Sequence, residues 1–549
     1  MLVVLPFENL GPPEDGFFAD GITEEITSRL AALRGLGVVS RTSAFQYKET
    51  DKTIRVIGDE LGVDYVLEGT VRWERLSEGE SRVRVTPQLI RVFDDTHVWS
   101  ERYDHELNKI FDVQSQIATQ VVDQLNITLL EPERRSLEAK QTENLDAYEA
   151  YLRGLEYKAK ALYSDQNRRL VVRMFERAVE LDPGFALAYA ELSKAHSALV
   201  NLGMDTTQER IASAKSAADK ALALRADLAE ARLALGYYYY WCLKDYGQAL
   251  EEFGRAAEGL PNECEILKAS AWIKRRQGRW EEALDSALKA FELSPRDSEL
   301  AREIGVIYHR TRRYVQAAEY YDISISLAPD QLAAYCFKAW NYWMGWGDLE
   351  RSRQALEAMP ERIGMFSSLF WFWQESEERD YESALGRLAS APEEIFRGGD
   401  VALPVALFEG FLYRYMDQPE LAKRAFESAR ALLEEELSAR PDDHRVHSSL
   451  GIVHAALGNK DKAIGEGELA VELYPVSKDA LHGPTQVENL AQIYMLVGEH
   501  DAALDQMEYL LSIPSSLSVQ MLRITPKWDP LRDHPRFQRL LGWYSQAGS

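Results

Sequence analysis

Three groups of residues have side chains that could do chemistry. His444, His447 and His454 are the one histidine cluster, with His444 and His447 able to share a helix face and His454 two turns on. A metal site would need a further ligand at matching spacing, and no carboxylate stands there, so packing or surface histidines are expected. Asp20, Glu24 and Glu25 could pair for acid–base work. An aspartate cap followed by an acidic first turn accounts for all three. The run Tyr237 to Trp241 could cage a ligand, but helical core and surface lining is the default reading.

Other chemistry is missing from the sequence. There is no G-x-x-x-x-G-K-S/T phosphate loop, G-x-G-x-x-G turn, H-E-x-x-H or G-x-S-x-G motif. Cys242, Cys264 and Cys336 fit neither a disulfide framework nor a metal site, and are expected as small apolar residues. The chain is therefore expected to be no enzyme and to need no cofactor or metal. A net charge of −25 argues against non-specific nucleic-acid binding, which needs a basic face. No apolar stretch is long enough to span a membrane. Met1 leads straight into Leu2 to Leu5 with no basic segment before it, so no signal peptide is read. A cytoplasmic location fits, as does a periplasmic one for a piece of a membrane-anchored parent.

The elements that would position these residues fall into two classes. At 549 residues the chain exceeds a single core. Pro261, Pro295 and Pro329 recur every 34 residues, with Ala256, Ala290 and Ser324 five positions before each. Such a period marks a stacked helix-turn-helix array. Residues 1–130 differ. Leu2 to Phe7 reads as a strand, Asp20 as the cap of a helix with Ile22, Ile26 and Leu30 on its apolar face, and Gly37 to Ser40 as a second strand. Thr53 to Leu61 reads as a helix stopped by Gly62. Tyr65 to Trp73 and Arg82 to Arg91 read as a hairpin with its loop at Ser77 to Glu80, and Pro87 suggests an edge or bulge. Thr96 to Arg102 reads as a strand, and Phe111 to Leu125 as an amphipathic helix.

Leu5-Pro6-Phe7-Glu8-Asn9, Phe18 to Glu25, Val39 to Ser43, Leu61 to Gly69 and Trp99 to Asp104 resemble the TolB amino-terminal-like (FlgO-like) domain, in order, over most of residues 1–125. Pro87 departs from it. Residues 146–515 resemble tetratricopeptide repeats, about 9–10 units, with clear units at Gly305/Tyr308/Ala317/Tyr321/Pro329 and Leu450/Gly451/Gly458/Ala463/Ala470/Pro475. Residues 345–400 are degenerate, 131–145 read as a linker helix, and 516–549 as a capping segment. The resemblance implies an α/β N-terminal domain plus an all-α superhelical solenoid, mostly α overall.

In tetratricopeptide repeats the first helix of each unit lines a groove, with positions two, five, nine, twelve and thirteen inward. The resemblance thus implies a lining of Tyr237, Tyr240 and Trp241, then Lys268, Trp272, Arg275 and Arg276, then Arg302, His309 and Arg310, then Trp340, Trp343 and Met344. A basic strip between aromatics would suit a protein partner or an acidic or C-terminal peptide. The alternative is that the arginines pair with nearby glutamates and the aromatics are core. The asparagine pair of a carboxylate clamp is absent, Trp272 taking one such place. Arg275→Glu with Arg310→Glu is expected to abolish partner capture without unfolding the chain.

The combination resembles the non-catalytic half of bacterial class III adenylate cyclases, some serine/threonine kinases and winged-helix regulators. It implies a non-catalytic interaction and regulatory module. The alternatives are a periplasmic or envelope-associated TolB/FlgO-like adaptor and the effector half of a winged-helix regulator. No oligomeric state is implied.

Overall fold

Alternation in the first strand gives the head two cores. The computed structural model describes residues 1–75, 81–106, 110–160, 165–360, 365–391 and 393–547. The loop expected at Ser77 to Glu80 lies outside them. Strand β1 (Leu2–Val4) and strand β2 (Glu8–Asn9) both pair parallel with β3 (Tyr65–Arg75). β3 forms an antiparallel hairpin with β4 (Ser81–Arg91), and β4 pairs on with β5 (Thr96–Ser100) and β6 (Tyr103–Glu106). Leu2 and Val4 join one buried cluster, Val3 and Leu5 the other, as a two-residue period requires. Helix α1 (Gly16–Ala31) covers the first cluster. Helix α2 (Arg41–Ala44) and helix α3 (Ile54–Leu61) contribute to the second.

Several expectations hold in detail, and three change. α3 is capped by Thr53 and ended by Gly62 at φ +66°, and Ile22, Ile26 and Leu30 are fully buried on α1. Asp20, however, does not cap α1, which begins at Gly16; its carboxylate lies in the second turn and pairs with Lys48 at 2.7 Å. Gly37 to Ser40 makes only an isolated bridge, Leu2 to Val38. Pro87 is not on an edge strand. It sits in β4 opposite Gly69, between the stretch that β6 pairs and the stretch that β5 pairs, so its missing N–H breaks no ladder.

Helix α4 (Ile110–Gln124) packs on α1, and α5 (Glu131–Glu138) follows. The rest of the chain is helix pairs. They are α6 (Leu145–Lys160) with α7 (Asp165–Leu181), α8 (Ala186–Asn201) with α9 (Gln208–Leu224), and α10 (Ala229–Tyr237) with α11 (Tyr246–Gly259). α12 (Cys264–Arg276) and α13 (Trp280–Leu293) come next. Then follow α14 (Ser298–Arg310) with α15 (Tyr314–Leu327), α16 (Leu332–Trp346) with α17 (Leu349–Glu357), and α18 (Met365–Glu377) with α19 (Tyr381–Ala389). α20 (Val405–Tyr415) with α21 (Pro419–Ala439), α22 (His444–Ala456) with α23 (Lys460–Leu473), and α24 (Gly483–Leu496) with α25 (His500–Ser512) complete them. Short α26 (Val519–Ile524) and α27 (Pro535–Ala547) end the described chain. The chain divides into two compact units, residues 1–273 with 286–297 and residues 274–285 with 298–549. Among the described residues, no helix is long and apolar enough to cross a membrane.

One contact repeats through the pairs and explains the small residues. A Cβ at Gly154 or Gly305 would come within 2.6 Å of the ring of Phe175 or Tyr321, and Gly236 and Gly410 meet Phe253 and Phe426 in the same way. Each first helix leaves a notch, and the aromatic of its second helix fills it. Ala256 and Ala290 are fully buried, and the Ser324 hydroxyl is satisfied by the Ser298 carbonyl at 2.7 Å. Gly236→Ala is expected to destabilise the second-to-last pair of the first unit by about 1–3 kcal/mol through overpacking. Gly254→Ala, on the open side of α11 with nothing within 4 Å, should instead stabilise by up to about 1 kcal/mol. Urea titrations of both variants check the opposite signs.

The second unit closes back on itself. Arg312 donates to the carbonyls of Leu510 at 3.0 Å and Ile513 at 2.9 Å, neutralising the C-terminal end of α25. α26 packs on α16. Trp528, Leu531 and Phe537 of the terminal segment are fully buried with residues of α24 and α25, covering the apolar face the last pair would expose.

Candidate functional site

In the first unit, the inward face of the helix pairs already holds a helix. Counting Gly154 and Gly236 as eighth positions makes Tyr148, Tyr151 and Lys158 of α6 and Glu230, Leu233 and Tyr237 of α10 the positions expected to face inward; α1 packs on α6, and its Glu25 interacts with Tyr151 and Glu230. A Cβ at Gly21 would meet the Leu152 side chain at 2.5 Å, so only glycine lets α1 approach α6. Ala32 joins the cluster of Leu233, Tyr237 and Tyr240. The Asn262 side-chain amide donates to the carbonyls of Leu33 at 2.8 Å and Leu36 at 2.9 Å, holding the end of α1. Arg29 donates to the Leu137 carbonyl at 2.6 Å.

The same unit carries a partly buried ionic network centred on Glu191 and Lys194. Lys194 reaches Glu265 at 2.7 Å and Glu191 at 3.2 Å, and Lys158 reaches Glu191 at 2.7 Å. Burial alone would raise the Glu191 carboxyl, yet the two lysines hold it at about 2. Glu25 of α1 is not in an acidic first turn. Burial, aided by Glu24 and Glu230 and opposed by Arg29, raises it to about 7. Glu24 pairs with Arg41 at 3.1 Å. Glu263 is raised to about 7 by burial and by Glu265. Glu191, Glu263 and Glu265 were not singled out from the sequence, whereas Glu24 and Glu25 were read as an acidic first turn.

The proposed lining residues divide between the units. Tyr237, Tyr240, Trp241, Lys268 and Trp272 belong to the first. Tyr237 and Tyr240 are buried, the Tyr237 ring lying tilted 4.1 Å from Trp241 and edge-on 5.3 Å from Phe253. Lys268 pairs with Asp297 at 2.7 Å. The other residues belong to the second unit. There Arg275 pairs with Glu303, Arg302 reaches the same carboxylate at 2.5 Å, and Arg276 pairs with Asp479, which is fully buried. Trp343 and Met344 are buried in the core that includes Leu522 and Trp528. Trp340 is half-buried, with the His309 ring 5.1 Å away and the Arg310 guanidinium 5.6 Å from its ring centre.

His309 donates through Nδ1 to Asn341 Oδ1 at 3.0 Å, an orientation fixed because the Asn341 amide donates to the Tyr314 carbonyl at 2.8 Å. Burial and the Arg310 charge lower it to about 3, so it is neutral. Among the other histidines, His447 bridges Glu466 at 2.6 Å and the Pro441 carbonyl at 2.7 Å, and His444 stacks on Tyr474. Among the described residues, no group of three His, Cys, Asp or Glu could hold a metal ion. Cys264 and Cys336 are buried, Cys242 is half-buried, and all three are free thiols.

Residues 269–331 and 420–478 match the tetratricopeptide repeat family. The helices of these two segments are tetratricopeptide repeats. The chain is 40% identical over 195 residues to "Putative adenylate cyclase 3" of Rhizobium meliloti (strain 1021), covering 35% of this chain and 32% of that protein. It thus spans about a third of that relative's length. Among solved structures, the human IFIT1 dimer with m7Gppp-AAAA is 14% identical with a TM-score of 0.37, over 66% of this chain and 77% of that one. Pseudomonas aeruginosa PilF is 21% identical with a TM-score of 0.31, over 37% of this chain and 90% of that one. Such low identities and scores speak to neither ligand nor activity. The tetratricopeptide content supports a protein-interaction module.

Proposed function

We propose that this chain is a non-catalytic protein-interaction and regulatory module. In this reading, residues 1–130 are a head of the TolB amino-terminal-like kind and 131–145 join it to a repeat array over 146–515. Residues 516–549 cap the array. The observation that carries the proposal is α1 lying on the inward face of α6 and α10. It meets α6 through shape at Gly21, and the turn after it is held by Asn262, which lies between α11 and α12. The repeats of the first unit therefore hold the chain's own head as their partner. Capture of a separate protein or peptide falls to the inward residues of the second unit around Arg302, Arg310 and Trp340. The similarity to "Putative adenylate cyclase 3" supports a place within or beside a bacterial signalling protein of the cyclase type.

Incubating the purified chain with ATP or GTP and Mg²⁺ is expected to give no turnover above buffer; measurable turnover would overturn the non-catalytic assignment. For the interaction, a photo-reactive side chain at Trp340 is expected to give a discrete protein adduct in the cells that make the chain. The same group at the exposed Phe93 serves as control. Equal adducts at both positions, or none at Trp340, would sink the reading.

A further inference from the structure

The degenerate stretch of the array ends in a pair of strands. The connection from α19 to α20 takes residues 390–404, where α13 to α14 takes only 294–297 and α15 to α16 only 328–331. Within it, β7 (Ile395–Arg397) and β8 (Ala402–Pro404) form an antiparallel hairpin that pairs with no other strand among the described residues. Its base is packed. Ile395 and Ala402 are buried, and the Ala402 carbonyl accepts the Ser449 hydroxyl of α22 at 2.7 Å. The turn of residues 398–401 is gripped by polar side chains instead. Arg445 of α22 donates to the Gly398 carbonyl at 3.0 Å. Thr485 of α24 donates its hydroxyl to the Asp400 carboxylate at 2.6 Å, and the Gln486 amide donates to the Asp400 carbonyl at 2.8 Å. His482 stands 3.7 Å from the same carboxylate, with its ring against Gly399, where a Cβ would come within 3.2 Å of it. Counting Gly451 and Ala491 as eighth positions, Arg445 and Thr485 are the second positions of successive repeats, a position the resemblance assigns to the groove.

We propose that this turn is a built-in strap: it occupies the second-position donors of α22 and α24 with the chain's own Asp400 carboxylate, and leaves them when a partner presents an extended segment carrying a carboxylate. This rests on the interaction-module reading and adds a regulation of its second unit. The two helices give the turn what they would give such a segment, donors for one carboxylate and for two main-chain carbonyls. The grip borders solvent, for Gly399 is exposed and the side chains of Asp400, His482 and Arg445 keep 22%, 20% and 24% of their exposure. Two such short strands do not hold together alone, so the order of the turn depends on these bonds. Because the turn is tethered, it competes at an effective concentration on the order of millimolar. A partner must bring further contacts or meet a loosened strap. Asp400 is ionised at neutral pH: burial alone would raise its carboxyl, but His482, the Thr485 hydroxyl and Arg310 hold it at about 2.

Hydrogen exchange resolved to single amides tests the strap in the whole chain. The Gly398 amide donates to the Val401 carbonyl at 2.9 Å and reports the turn; the Val405 amide donates to the Glu394 carbonyl at 2.8 Å and reports the base. Asp400→Ala should speed exchange at Gly398 roughly 10- to 100-fold and leave Val405 unchanged. The probe for the vacated donors is the acetylated, amidated tetrapeptide Gly-Gly-Asp-Val, the sequence of the turn, followed by ligand-observed NMR beside the same peptide with asparagine for aspartate. The aspartate peptide should bind Asp400→Ala saturably and roughly tenfold more tightly than it binds wild type, and the asparagine peptide should bind more weakly. Adding Thr485→Val to Asp400→Ala should remove the gain. Asp400→Asn keeps the shape and should move both readings the same way by less, so the test survives an alanine variant that folds poorly. Unchanged Gly398 exchange in both Asp400 variants would overturn the proposal. So would equal binding of the aspartate peptide by wild type and Asp400→Ala, no binding to either, or equal binding of the two peptides. Any of these with the Trp340 adduct intact would remove the strap alone and leave the module reading standing.

Discussion

Glu303→Ala should lower the stability of the second unit by about 3–5 kcal/mol, read as a lower urea midpoint at pH 7. The carboxylate lies between Arg275 and Arg302, with side-chain exposures of 13%, 9% and 17%. Removing it leaves two guanidinium groups together out of water, close to the Arg310 charge. Glu303→Gln keeps the shape and should cost less. The pH dependence has a definite sign. Burial raises the Glu303 carboxyl but Arg275 and Arg302 lower it further, to about 2 against an ordinary 4.5. A depressed carboxylate stabilises the fold above its unfolded value, and this is lost as pH falls from about 4.5 towards 2. Wild type should therefore lose more stability than Glu303→Gln between pH 5 and pH 2.5. An unchanged midpoint at pH 7 would remove the triad from the account of this unit. The same geometry revises the charge-reversal test suggested by the sequence. Arg275→Glu would set two carboxylates side by side in a buried site, so loss of partner capture in that double variant would report unfolding.

Glu25→Gln works in the opposite direction. Burial, with Glu24 and Glu230, raises this carboxyl to about 7 against Arg29 and the Tyr151 hydroxyl. The unfolded chain releases the proton near 4.5 and the folded chain keeps it, so stability falls as pH rises from 4.5 to 7 and stays lower above. The glutamine variant escapes this. It should match wild type at pH 4 and exceed it by up to about 3 kcal/mol at pH 8. Glu263, also at about 7 on the same inward face, acts in the same sense. Hydrogen exchange along α1 gives the local readout, because Glu25 sits where α1 meets Tyr151 and Glu230. A difference that does not grow with pH would show that Glu25 is ionised in the folded chain.

Much of the fold was legible because its causes are local. The notch-and-ring contacts at Gly154, Gly236 and Gly305 leave a recurring glycine-then-aromatic pattern in the sequence, since each helix pair must solve the same packing problem. The apolar strand at Leu2 to Leu5 and the stop of α3 at Gly62 are equally local. The capping role read for Asp20 failed because a 3₁₀ turn at Pro13–Asp15 starts the helix a turn earlier. Pro87 was misplaced because no single strand shows that two partners leave a gap beside it.

The sequence by itself determined the helix pairs and the mixed head before them, because helical and strand periods are properties of neighbouring residues. Only the tertiary structure decided what each inward position meets. It put α1 against α6 and α10, closed the second unit so that Arg276 meets Asp479 about two hundred positions away, and buried Trp343 under the terminal segment. Ion pairs between residues so far apart leave no spacing to read. Whether an arginine is spent on the fold or kept for a ligand follows from where the chain brings its carboxylates.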